Sequence, residues 1–290
     1  AEPVGTTAST ALDGIYTGTV TFPQFAAAGT WEVGTTRISD LAGNGFNLTA
    51  AHLQSLGFPT QVTVTTVTSD TTAPVVNALS ISPSVVDVSA ADQSLTFSLT
   101  LTDDASGAMF GGCPSSTVLS FFAVTLVSPS GVQNRFLSAR QFSAVSGTPL
   151  DGVWSGTLLM PRFSEAGNWR LQSLNVRDCA GNSRNLSASQ LAALGLPSDI
   201  TVASIPADLV PLSLTGLEFQ PIAINTSTAS QLVTVRLRIT DDLSGTIFSP
   251  TTPNISFFEA GVQFRSPSGN QVRSAGFFCV YNSISGKAHH

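Results

Sequence analysis

Two long stretches of this chain occur twice, with the same spacing between copies. LDGIYTGTVTFPQFAAAGTWEV, from Leu12, returns as LDGVWSGTLLMPRFSEAGNWRL from Leu150, 138 residues on. ISDLAGNGFNLTAAHLQSLGFP, from Ile38, returns at the same offset as VRDCAGNSRNLSASQLAALGLP from Val176. LTDDASGAMF from Leu101 recurs as ITDDLSGTIF from Ile239, and the turn SPSG at Ser128 recurs at Ser266. A fixed period of this length marks one structural unit built more than once. One complete unit spans 72–206. Residues 1–71 match only its second half and residues 207–290 only its first half, so the arrangement is half, whole, half.

Within the unit, Leu95, Phe97, Leu99 and Leu101 alternate with polar residues, the period of a half-buried strand. The stretch from Leu119 to Ala139 reads as two strands joined by the SPSG turn, where glycine supplies a positive φ. Val153–Met160, Asn168–Val176 and Asp199–Ala203 add further strands. One short helix interrupts them: Ser187 caps it, Gln190 completes a capping box, and Gly195 and Pro197 end it. Thr49, Gly57 and Pro59 repeat that punctuation. The expected fold class is therefore all-β, a β-sandwich of short strands. Tyr16 with Trp154, and Trp31 with Trp169, occupy matching phases and are expected between the sheets.

The pattern of a Trp strand, (I/V)-x-D-x-A-G-N and an opening A-P-V-V…L-x-I-S-P resembles the bacterial Ig-like repeats of large secreted surface proteins. The resemblance implies tandem immunoglobulin-like sandwiches and an extracellular scaffold, and says little about function, because such modules serve as stalks, adhesins and filament subunits. In that topology the loop Asp103-Asp104-Ala105-Ser106-Gly107 and the loop Asp178-Cys179-Ala180-Gly181-Asn182 share one end of the sandwich. Their counterparts are Asp241 and Asp242 in one half-repeat and Asp40 and Asn44 in the other. Carboxylates and amide oxygens meeting in such loops suit Ca²⁺. The same residues would equally serve as Asx turns without metal.

Cys113 and Cys179 occur in the whole repeat, and both are replaced in the half-repeats, by Thr251 and Leu41. A pair that comes and goes together is expected to be a disulfide. Cys279 has no partner in its own repeat and is free or intermolecular.

Composition narrows the function. Only 10% of residues are charged and the net charge is −6, with eleven scattered arginines and one lysine. Nucleic acid, which requires clustered basic residues, is not an expected partner. No apolar run is long enough to span a bilayer. The chain opens on Ala1-Glu2-Pro3, as a secreted chain does after loss of its signal or a segment does when excised. Three histidines and no GxSxG, P-loop, GxGxxG or HExxH leave no basis for an enzyme.

Half a sandwich cannot close its core, so each terminal half would expose an apolar face and open strand edges, with Trp31 and Tyr16 bare at one end. The expectation is an extracellular filament subunit whose C-terminal half completes the N-terminal half of the next copy, head to tail. Two alternatives stand beside it. One is a segment of a longer tandem array forming a stalk or adhesin; the other is a glycan-binding adhesive module.

Overall fold

Alternating apolar residues become strands because one face of each can be covered while the other meets water. The computed structural model describes residues 17–40, 42, 44–110, 113, 121–245 and 261–276. Tyr16, Leu41, Thr251 and Cys279 lie outside them. The chain divides into two compact units, Ala1–Thr30 with Thr63–Ser204, and Trp31–Val62 with Ile205–His290.

In chain order the elements begin with β1 (Gly29–Glu32), β2 (Thr35–Ser39), β3 (Gly45–Thr49), α1 (Ala50–Ser55) and β4 (Gln61–Val64). The whole repeat follows with β5 (Val75–Ser82), β6 (Val85–Asp87), β7 (Gln93–Thr102), β8 (Phe122–Val127), β9 (Asn134–Ser138), β10 (Phe142–Gly147), β11 (Asp151–Met160), β12 (Gly167–Arg177), β13 (Ser183–Ser187), α2 (Ala188–Ala193) and β14 (Asp199–Ala203). Last come β15 (Ser213–Gln220), β16 (Thr234–Thr240), β17 (Gly261–Arg265) and β18 (Val272–Gly276).

In the first unit two sheets enclose one apolar core, consistent with a β-sandwich. One has the order β10-β11-β7-β5; the other runs β6-β14-β12-β8-β9, with β13 added on β12. β11 pairs antiparallel with β7 over ten residues, from Asp151 opposite Thr102 to Met160 opposite Gln93. β6 is the exception, a three-residue strand running parallel to β14. Leu95, Phe97, Leu99 and Leu101 on β7 are fully buried against Leu126 and Leu137 of the facing sheet and the other core residues. Each such side chain contributes roughly 1.5–3 kcal/mol. Trp154 and Trp169 are both in the core, and each finds a carbonyl for its ring N–H: Trp154 donates to Phe110 and Trp169 to Glu165, both at 2.8 Å. Trp31, the counterpart of Trp169, is instead 39% exposed.

Elements recur at the repeat spacing. β15 lies 138 residues after β5 and β18 the same distance after β9, while β3 and α1 stand that far before β13 and α2. Phe25 and Phe163, equivalent positions, share an unusual positive φ of 67°. The α2 capping box forms as expected, with Ser187 Oγ accepting from Gln190 N.

The flanking elements make two-stranded ladders: β1 with β4, β2 with β3, β15 with β16, and β17 with β18. In the second unit the β2–β3 and β17–β18 hairpins meet through side chains. Gln271 Nε2 donates to the Asn44 amide oxygen at 2.9 Å, and Arg273 donates to the Ala42 carbonyl. Among the described residues these two hairpins share no ladder.

Candidate metal centre

The loop after β7 turns sharply because Asp103 folds back on it. Its Oδ2 accepts from the backbone N–H of Ala105 at 3.3 Å and of Gly107 at 2.6 Å. Gly107 has φ +86°, and a Cβ there would stand 2.7 Å from the Pro149 side chain, so only glycine fits. The hairpin between β12 and β13 is closed the same way. Asp178, fully buried, accepts from Gly181 N and Asn182 N through Oδ1, and from Asn182 Nδ2 through Oδ2, all at 2.7–2.8 Å.

The two loops are bound to each other. Cys179 N donates to the Gly107 carbonyl at 2.9 Å, and Ala180 N to Ser106 Oγ at 3.1 Å. Cys113 and Cys179 form the expected disulfide, with Cα atoms 5.6 Å apart.

Asp70, a residue the sequence reading passed over, joins them. It is 2% exposed and receives Ser106 N at 2.9 Å, Thr72 N at 3.1 Å and Asn182 Nδ2 at 3.1 Å. Thr72 Oγ1 in turn donates to Asp104 at 2.6 Å. Carboxylate oxygens of Asp70, Asp103 and Asp104 lie within 4.8 Å of one another. Asp103 Oδ1 is enclosed with no hydrogen-bond partner among the described residues. Asp178 and Asn182 are held beside this triad, Asn182 through its bond to Asp70.

Burial pushes the Asp103 carboxyl above its ordinary range against the pull of the Gly107 and Ala105 N–H groups, and the charges of Asp70 and Asp104 add to the rise. Burial likewise raises Asp178, only partly offset by its bonds to Asn182. Ionised oxygens crowded in this way favour a cation. An all-oxygen donor set suits a hard divalent ion such as Ca²⁺ or Mg²⁺.

The second unit holds a second triad, Asp208, Asp241 and Asp242, with oxygens within the same 4.8 Å. Asp241 repeats the Asp103 turn, accepting from Leu243 N at 3.3 Å and Gly245 N at 2.6 Å. Asp208 occupies the Asp70 position and accepts Ser244 N at 3.0 Å. There, burial opposes ionisation, but the bonds from Ser244 and Val210 outweigh it and hold the carboxyl below its usual range. Asp40 and Asn44 make the same closed hairpin as Asp178 and Asn182, with Asn44 Nδ2 donating to Asp40 at 2.7 Å.

The sequence signal for Asp70 and Asp208 was present: each lies within two residues of a repeat boundary, and they stand 138 residues apart. No family model, curated protein or solved structure matches this chain. No helix among the described residues is long and apolar enough to cross a membrane.

Proposed function

We propose that this chain is an extracellular structural protein of Ig-like modules that assembles head to tail, the half-modules of neighbouring copies completing each other. One observation carries this reading. The β15–β16 ladder keeps the apolar pattern of a core strand pair but lacks its cover: Leu217 is 49% exposed, whereas its counterpart Leu79 on β5 is 6% exposed. An apolar sheet face with an open edge is an association surface. The side-chain contacts between the hairpins of the second unit also support an affinity between the two halves.

The same halves would be matched within one polypeptide if modules continue in tandem, giving a stalk or adhesin. Light scattering with negative-stain imaging at rising protein concentration separates the readings. Head-to-tail assembly gives unbranched filaments with a concentration-dependent mass; a constant monomer mass rejects it.

Ca²⁺ fits this scheme as a stiffener of the junctions between repeats, because Asp70 and Asp208 both lie there. The support is the enclosed Asp103 oxygen, which has no hydrogen-bond partner among the described residues, within an all-oxygen cluster. Calorimetric titration of the chelator-treated protein with Ca²⁺ tests it, and absence of heat removes the metal from the scheme.

A further inference from the structure

The whole repeat shows what the exposed β16 face is shaped to receive. In it, β7 lies between β5 and β11, and the second half of β11, Ser155–Met160, pairs with residues 93–98. Counting back one period from Ser155–Met160 gives residues 17–22, TGTVTF. These form no strand in this structure and are exposed. Val20 is 83% exposed, against 4% for its counterpart Leu158. Counting forward from β7 gives β16, which among the described residues pairs with β15 alone. Its inward positions Val235, Leu237 and Ile239 are only half-buried, while Phe97, Leu99 and Leu101 are fully buried. A surface groove lies on the β15–β16 ladder, lined by Phe219, Thr234 and Arg236 among others.

Gly18 points the same way. A Cβ on Gly18 would meet nothing within 4 Å, so its own surroundings do not require glycine. At the equivalent Gly156, a Cβ would stand 3.0 Å from the Phe142 ring. The small residue suits a packed sheet position, not an exposed segment.

We propose that residues 17–22 of one copy add as an antiparallel strand to the open edge of β16 in a second copy, with Thr17 opposite Arg236, Gly18 opposite Val235 and Thr19 opposite Thr234. This rests on the head-to-tail reading and specifies its register. Val20 then takes the place of Leu158 over the apolar face. Backbone pairing supplies affinity and the alternating side chains supply register, as in strand addition generally.

Two chains that each carry one cysteine beyond the Cys113–Cys179 pair test it, Thr19→Cys and Thr234→Cys, each also carrying Cys279→Ser. The model pair, Thr157 opposite Thr96, is exposed on both strands, so neither substitution touches a core. Mixed and mildly oxidised, the two chains are expected to give a disulfide heterodimer at least about ten-fold above either chain alone, because docking raises the local thiol concentration. Replacing the second variant with Arg238→Cys moves its thiol roughly 13 Å along the strand and should abolish the gain. Filaments without the Thr19–Thr234 heterodimer overturn this register and leave head-to-tail assembly standing. A monomer with neither filament nor heterodimer overturns both. A doubly substituted chain that closes on itself, while the mixture gives no heterodimer, assigns the strand to its own chain and overturns pairing with a second copy.

Discussion

Strands β7 and β16 carry one pattern at one place in the repeat, yet they end in different surroundings. β7 has a strand on each side and a facing sheet, and its four inward residues are sealed. Among the described residues β16 has one neighbour, and the equivalent positions are half-covered. Local sequence was enough to make both strands; the inward positions of β7 are sealed where the second half of the repeat is folded against the first. Strand formation and core formation are thus separable in this chain, and the second depends on complementary strands folded against the first.

The disulfide sharpens the contrast most. Cys113–Cys179 closes a 66-residue loop in the whole repeat, which by chain entropy stabilises it by about 4 kcal/mol. Replacing both cysteines by serine should lower the chemical-denaturation stability of the first unit by that order and leave the second unit's transition unmoved. A shift of both transitions together would mean that the units unfold as one.

Next in size is the paired substitution Leu99→Ala and Leu237→Ala, the same change at equivalent positions. The first empties a sealed core site and should cost about 3 kcal/mol. The second removes a half-exposed side chain and should cost under about 1 kcal/mol in the dilute monomer. Under conditions that favour assembly, Leu237→Ala should instead weaken association on the order of ten-fold or more. Equal costs in dilute urea melts would erase the distinction between the strands.

Much of this was legible beforehand, for identifiable reasons. Alternation located β7, and the Ser187, Gln190 and Gly195 signals located α2, because both depend on local chemistry. The Cys113–Cys179 bond followed from two residues vanishing together. β6 was not legible: three residues, Val85–Asp87, carry no period, and their parallel pairing with β14 is decided by the sheet they join. Asp70 was missed because it stands outside the alternating segments, where an aspartate ordinarily signals only a turn. Its role comes from Ser106 and Asn182, 36 and 112 residues away.

The two acidic triads invite a comparison of their own. Asp103 has an enclosed oxygen with no hydrogen-bond partner among the described residues, and among them neither its equivalent Asp241 nor Asp208 has such an oxygen. Ca²⁺ should therefore stabilise the first unit more. Saturation at a hundred times the dissociation constant adds about 2.7 kcal/mol, read as a rise in melting temperature that EDTA reverses. Asp103→Asn should remove most of that rise, and Asp241→Asn should remove only the smaller one in the second unit. An EDTA-insensitive melt of the unsubstituted chain would end the metal reading for both.

The smallest expected effect concerns a clamp built on the Glu165 carboxylate of the whole repeat. Glu165 accepts from Ser130 N at 3.0 Å and Ser130 Oγ at 2.7 Å, tying the β8–β9 turn to the start of β12. Ala27 stands at the equivalent place in the flanking half, although the turn it would hold, Ser266 to Ser268, is kept. Burial opposes the Glu165 charge, but the Ser128 and Ser130 bonds prevail and hold its carboxyl below the ordinary glutamate value. A lowered folded value means that the ionised clamp contributes stability above the unfolded pKa, and that this contribution is lost as pH falls through the folded one. Glu165→Gln should therefore cost the first unit about 0.5–1 kcal/mol at neutral pH, modest because the group is partly solvated. The difference from the unsubstituted chain should close as both are acidified. A gap that persists to the acid limit would show that the glutamate acts through its shape and not through its charge.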